Sequence, residues 1–143
     1  MKKFDYFIEN RIVKKQKPDI SRANYLIEES EKSYNLLLKK IEKIGIDDES
    51  ANDFIKTCYD LIMELVRAKM LIDGYNASGH GAHEAEVSYS EKLGLSETEI
   101  NFLDQLRNFR NGILYYGSNL KKEYAEKVID FTKKIYSKIK SNN

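Results

Sequence analysis

The stretch LSETEINFLDQLRNFRNGILYY, residues 95–116, decides the fold because it combines a helix start with a helical apolar repeat. Ser96 and Glu99 form a capping box, in which the serine oxygen accepts from a free backbone amide and the glutamate reaches back. Apolar residues then recur every three or four positions, as they do on one face of an α-helix. The stretch predicts a helix over about residues 97–116, ended by Gly117.

The same periodicity recurs outside this stretch and predicts three more long helices, and no alternating run typical of a strand interrupts them. Long helices are expected at about 20–44, 50–73 and 119–140, and shorter helical pieces at 4–15, before Pro18, and at 82–93, before Gly94. Long helices joined by short links predict an all-α fold. We expect an up-and-down bundle of four to five helices in a single domain, residues 1–143.

The composition is ordinary for a water-soluble domain, with 41% hydrophobic and 33% charged residues in 143. Cys58 is the single cysteine, and its place on an apolar stripe predicts a small core residue in a reduced setting. The N-terminus lacks the apolar run of a signal peptide, and no run approaches the roughly 18 residues of a spanning helix. We therefore expect a cytoplasmic protein without a membrane segment.

Positive charge concentrates at the two ends of the chain. Residues 1–22 carry seven Lys/Arg and three Asp/Glu, and residues 119–143 carry the same numbers, whereas the middle has a net charge of −7. Two basic ends suit an anionic ligand such as RNA, and they equally suit a solvated lysine-rich surface.

Arg110 occupies a position at which the apolar periodicity of the 97–116 helix predicts an apolar residue such as leucine, after Leu103 and Leu106. An unpaired buried guanidinium is costly, so this side chain must face a cleft, an interface or an acid. Arg107, Asn111 and Tyr115 are spaced by four and lie on one helix face beside it. Together these residues suit a phosphate or another anion, although arginines whose stems cover apolar neighbours produce the same pattern.

Gly112 lowers helix stability and indicates close packing, while Asp104 is placed to pair with Arg107. His80 lies within a glycine-rich stretch, residues 74–81, that predicts a loop, and His83 follows it. Histidines three apart suit a metal, a loop cap, or a cleft shared with Arg110, where an imidazole could move a proton. The metal signal lacks a third ligand, so we assign no metal and no cofactor.

Residues 110–116, RNGILYY, resemble the signature of the HEPN family, which is an arginine, a polar residue (often asparagine), three further residues and a histidine. Residues 71–75, 78–82, 95–97 and 102–104 are also similar to prokaryotic members, and the resemblance covers about residues 4–140. It implies a helical bundle that dimerises, with the motif helices facing each other across a cleft. Many members are metal-independent endoribonucleases, several are toxins encoded beside a small nucleotidyltransferase antitoxin, and others bind nucleotides or RNA.

The resemblance carries over residue by residue, with one departure from the motif. Arg110 matches the arginine that steadies the phosphate and Asn111 the polar position, but Tyr115 replaces the histidine. Because its ordinary pKa is about 10, tyrosine is a poor base at neutral pH, although it can hydrogen-bond phosphate. The tyrosine that the partner transferase modifies in some members aligns with Gly117, next to Tyr116.

Two hypotheses therefore stand. In the first, a homodimer formed through the 97–116 helix binds nucleotide, RNA or a nucleotidyltransferase in a cleft around Arg110, Asn111 and Tyr115. Arg107, Tyr116 and His83 are its further binding residues. In the second, a toxin-type ribonuclease cleaves RNA: Arg110 binds the scissile phosphate, Asn111 orients it, and Tyr115 or His80 transfers the proton. The tyrosine at the histidine position favours the first, and a plain helical scaffold is a third possibility.

Overall fold

The computed structural model describes residues 1–111 and 121–142, most of which are helical. Its helices are α1 (Phe4–Glu9), α2 (Ile20–Ile44), α3 (Ala51–Ile72), α4 (Ala82–Tyr89), α5 (Glu97–Arg110) and α6 (Lys122–Ser141), with a 3₁₀ turn at Ser90–Leu93. Two short strands are β1 (Val13–Lys15) and β2 (Tyr75–Ala77). The all-α prediction is confirmed in class, and the long helices lie close to their predicted positions.

Helix α3 forms the centre of the core, packing against α2, α4, α5 and α6. Thirteen of its 22 residues are buried, so it presents apolar side chains on most of its circumference. Cys58 is fully buried among them, as predicted, and burial raises the pKa of its thiol to about 11. The thiol is therefore a packing group rather than a nucleophile at neutral pH.

Helix α2 lies antiparallel on α3. The amide of Asp19, at the start of α2, donates to the carbonyl of Leu71, near the end of α3. It buries a single line of residues spaced by seven, namely Ala23, Ser30 and Leu37. The Ser30 hydroxyl donates to the Leu61 carbonyl at 2.7 Å, which satisfies the one polar group on that line.

The two strands pair antiparallel, with Val13 opposite Ala77 and Lys15 opposite Tyr75, so the prediction of no strands was wrong. Three residues are too few to show an alternating pattern, and the pairing joins distant parts of the chain. Gly74 permits it, since its φ is +83° and an added Cβ would lie 2.6 Å from the Gln16 carbonyl oxygen.

Two predicted helix bounds also need correction. The 4–15 piece ends at Glu9 rather than at Pro18, because the Asn10 side chain bonds the Tyr6 carbonyl and Arg11 adopts a φ of 59°. Within the described residues the predicted 97–116 helix runs to Arg110 and Asn111 closes its turn, and positions 112–116 of that prediction lie outside the described residues.

The last helix begins at Lys122 rather than at about 119, and its first amide donates to Asp48 Oδ1 at 2.8 Å. A turn distant in sequence therefore caps it. The capping box of Ser96 and Glu99 at the start of α5 is confirmed.

No helix among the described residues combines the length and the apolar character that crossing a membrane requires.

Candidate functional site

A cleft of about 580 Å³ opens between α3, α4 and the end of α5. Eight residues from these elements line it: Tyr59, Asp60, Met63, Glu64, Arg67, His83, Arg110 and Asn111. Three of the predicted site residues, Arg110, Asn111 and His83, thus meet in one place although two separate helices supply them.

The α3 side of the cleft is a polar strip on a helix that buries apolar side chains on most of its circumference. Asp60, Glu64 and Arg67 follow one another by four and three residues, so they stack along one helix face. Burial raises the pKa of Glu64, and the nearby carboxylates Glu29 and Asp60 raise it further.

Glu86 joins the α3 side of the cleft to its α4 side. Its carboxylate accepts from Arg67 Nε at 2.7 Å and from Arg67 Nη2 at 3.0 Å, a bidentate pair. His83 Nδ1 lies 3.0 Å from the same carboxylate, whose side chain is only 4% exposed. A buried carboxylate therefore holds an arginine and an imidazole that both face the cleft.

The hydrogen bond from Arg67 to Glu86 raises the pKa of the guanidinium, so Arg67 stays charged at any physiological pH. Two of its nitrogens bond Glu86, whereas Nη1 and one Nη2 hydrogen meet no acceptor among the described residues, and the side chain is 27% exposed. Arg67 can therefore offer hydrogen bonds and positive charge to an anion in the cleft.

Arg110 reaches the rim of the cleft from the last turn of α5. Its Nε donates to Asp60 Oδ1 at 3.2 Å, and the two side chains are 44% and 51% exposed. An ion pair this exposed is weak, so an incoming phosphate can replace the carboxylate. The buried face of α5 continues through Phe109 instead, which explains how Arg110 avoids the core.

The other predicted site residues either do not line the cleft or lie outside the described residues. His80 is exposed and does not line the cleft, so His83 is the histidine that accompanies Arg110. Arg107 pairs with Asp104 at 2.8 Å, as predicted, but it also does not line the cleft. Tyr115 and Tyr116 lie outside the described residues.

Arg67, Tyr59, Asp60, Met63 and Glu64 were missed by the sequence reasoning. The signal for Asp60, Glu64 and Arg67 was weak, because they continue the polar face that Asn52, Asp53 and Lys56 begin, and an ordinary solvated helix face has the same pattern. Glu86 gives a similar signal, since it stands between two residues, Ala85 and Val87, that belong to the core.

No group of three or more histidine, cysteine, aspartate or glutamate side chains suited to a metal ion occurs within residues 1–111 and 121–142. A scan against protein-family models found no match, and searches of curated proteins and of solved structures found no similar chain.

Proposed function

We propose that this chain is a HEPN-type domain that binds RNA, with a backbone phosphate held in the cleft by Arg110 and Arg67. The observation that carries the proposal is the meeting of these two arginines with His83 and Asn111 in one open cleft. Guanidinium groups match phosphate oxygens in geometry and charge, and an amide adds a neutral donor.

Two of the negative groups of the cleft are compatible with an anionic ligand. Glu86 is engaged by Arg67, and Asp60 is exchangeable at an exposed ion pair. A phosphate that displaces Asp60 gains a charged partner without leaving a buried carboxylate unpaired.

A basic segment that contacts the start of α4 favours a polymer over a free nucleotide. Residues 10–18 contain four cations, Arg11, Lys14, Lys15 and Lys17, and no acid. The segment includes β1, and its Ile12 lies against Gly81, two residues before His83. Cations next to a phosphate site can contact the neighbouring phosphates of a strand.

The test is binding of a fluorescein-labelled single-stranded RNA of about 20 nucleotides, followed by anisotropy at several salt concentrations. Arg110→Ala should weaken binding by about tenfold and lower the salt slope by about 1. Arg22→Ala removes the same charge at the start of α2, away from the cleft lining, and should change affinity by less than about twofold. Equal losses in both variants, or no RNA binding at all, would refute the proposed site.

Two further expectations concern partners. A homodimer formed near the end of α5 and docking of a small nucleotidyltransferase both follow from the HEPN resemblance. Light scattering at micromolar concentration tests the first, and a monomeric mass would contradict it. Co-purification with a nucleotidyltransferase encoded by a neighbouring gene, lost in Arg110→Ala, tests whether such a partner uses the same cleft.

A further inference from the structure

Helix α2 exposes several large apolar side chains. Of the seven such side chains that are exposed within residues 1–111 and 121–142, five lie on this helix: Ile20, Tyr25, Leu36, Leu38 and Ile44. Ile44 is 69% exposed, Tyr25 61% and Leu36 52%. Single exposed apolar residues are normal on a protein surface, but several along one helix indicate an interaction surface.

Three of these apolar residues share one side of α2 with charged residues. Tyr25, Glu29, Leu36 and Lys40 follow one another by four, seven and four residues, spacings that keep them on one side of a helix. Together with two neighbours they form the α2 flank, which consists of Tyr25, Glu29, Ser33, Leu36, Lys40 and Ile44. All six residues are at least partly exposed, because α2 packs on α3 through a different line of residues.

The charge along α2 changes sign between its two halves. Glu28 and Glu29 lie in the first half, whereas Lys39, Lys40 and Lys43 lie in the second. Two parallel copies of this helix would place like charges together, but two antiparallel copies place the acids of each against the lysines of the other. The charges of α2 are therefore complementary to those of an antiparallel second copy.

We infer that the α2 flank binds the α2 flank of a second copy of this chain, antiparallel and about a two-fold axis at residues 34–35. In such a contact the same surface is used by both copies, and every pair of contacting residues occurs twice. The contact uses neither the cleft nor the end of α5, and it does not depend on RNA binding.

This axis brings unlike charges together and apolar residues together. Glu29 and Lys40 are 11 residues apart, roughly 16 Å along the helix, and the axis lies midway between them. Each Glu29 therefore lies opposite the Lys40 of the other copy. Leu36 lies beside the axis, where the leucines of the two copies meet and the small Ser33 leaves room for them. Tyr25 lies opposite Ile44 at each end of the contact.

Glu29 is free to turn towards a second copy. Within its own chain, its carboxylate lies 3.8 Å from Lys32 Nζ, and the lysine side chain is 74% exposed. A surface pair of this kind contributes little to stability. Because the Glu29 side chain is itself 35% exposed, it can exchange Lys32 for the Lys40 of the other copy without leaving a buried charge unpaired.

The experiment exchanges the two charges. Light scattering coupled to size exclusion, at micromolar concentration and low salt, gives the mass of wild type, Glu29→Lys, Lys40→Glu and an equimolar mixture of the two variants. Each variant alone places like charges opposite each other twice, so its mass should fall to half that of wild type. In the mixture every altered charge meets an opposite one, so the wild-type mass should return.

Two further variants test the surface itself. Lys39→Glu makes the same charge change one residue away, on a side of α2 turned from the flank, and should keep the wild-type mass. Leu36→Asn leaves the charge unchanged but removes the apolar centre of the contact, and should halve the mass. Circular dichroism spectra of all variants should show unchanged helix content, because every altered side chain is at least partly exposed.

Three results would overturn the inference: a monomeric wild type, charge variants that keep the wild-type mass, and a mixture that stays at half that mass. If the mass survives in both charge variants, self-association uses another surface, such as the end of α5. If the mixture does not recover, the two copies do not meet in the antiparallel register. RNA binding measured by anisotropy is a separate result, so its failure would overturn only the proposed function.

Discussion

Two glutamates, Glu86 on α4 and Glu99 on α5, are nearly buried and each contacts two basic side chains, yet their surroundings differ. Glu99 completes the capping box with the Ser96 amide and binds Lys138 at 2.7 Å and Lys134 at 3.6 Å on α6. The partners of Glu86 face a cleft instead.

The difference teaches how to tell a structural carboxylate from a functional one. The Glu99 contacts join the start of α5 to α6, and neither lysine lines the cleft. The Glu86 contacts fix an arginine and an imidazole that retain donors or a lone pair for a ligand. Both carboxylates are buried, so burial does not distinguish them. They differ in whether the side chains that they hold can still bind a ligand.

The largest expected effect comes from Glu86→Ala. The change leaves Arg67 without its bidentate partner in a mostly buried position, so the free energy of unfolding should fall by about 3 kcal/mol. Urea denaturation followed by circular dichroism measures this loss. Glu86→Gln keeps a hydrogen-bond acceptor and should cost clearly less. If Glu86→Ala were neutral, Glu86 would not organise the cleft.

Glu99→Ala should have a smaller effect, about 1–2 kcal/mol, from the lost cap contact and lost lysine pairs. Lys134 and Lys138 remain hydrated at the surface when the carboxylate is removed, so no buried charge is left behind. RNA affinity should stay within about twofold of wild type. A large loss of binding in Glu99→Ala would erase the contrast between the two glutamates.

The pH dependence of stability sharpens the same contrast. Burial acts to raise the pKa of Glu99, but the Lys138 contact and the Ser96 amide outweigh it and hold the pKa below the usual 4.5. A lowered carboxylate pKa stabilises the folded state above the unfolded value, and this contribution is lost as pH falls through the folded value. Wild type should therefore exceed Glu99→Gln in stability at pH 7.

That advantage should shrink once the pH drops below about 4.5 and should disappear at lower pH, in thermal melts of both proteins in matched buffers. A difference that stays constant from pH 7 to pH 3 would show that the side-chain charge of Glu99 does not contribute.

Asp60→Asn should have the smallest effect on stability, within about 0.5 kcal/mol, since its ion pair with Arg110 is half exposed. The same change frees Arg110 and removes a negative charge from the cleft, so RNA should bind about threefold more tightly. Anisotropy titrations of Asp60→Asn beside Arg110→Ala give opposite signs if Arg110 holds the phosphate. Weaker binding in both variants would indicate that Asp60 itself contacts the ligand.

The sequence by itself determined the helices and one cap. The periodic apolar residues of α2, α3 and α6 place those helices within a few residues of their observed bounds, because helix period and capping depend on neighbours along the chain. The capping box of Ser96 and Glu99 likewise joins residues only three apart along the chain, so it can be predicted from the sequence. Arg110 was identified because a charged residue interrupts a periodic stripe.

Only the tertiary structure decided which side chains meet. Arg67 and Glu86 are 19 residues apart and Asp60 and Arg110 are 50 apart, so no repeat within one helix relates them. The β1–β2 pairing and the position of His83, rather than His80, in the cleft also depend on contacts between distant parts of the chain. Each depends on how a helix is rotated about its axis and where its neighbour lies, which packing of the whole core sets.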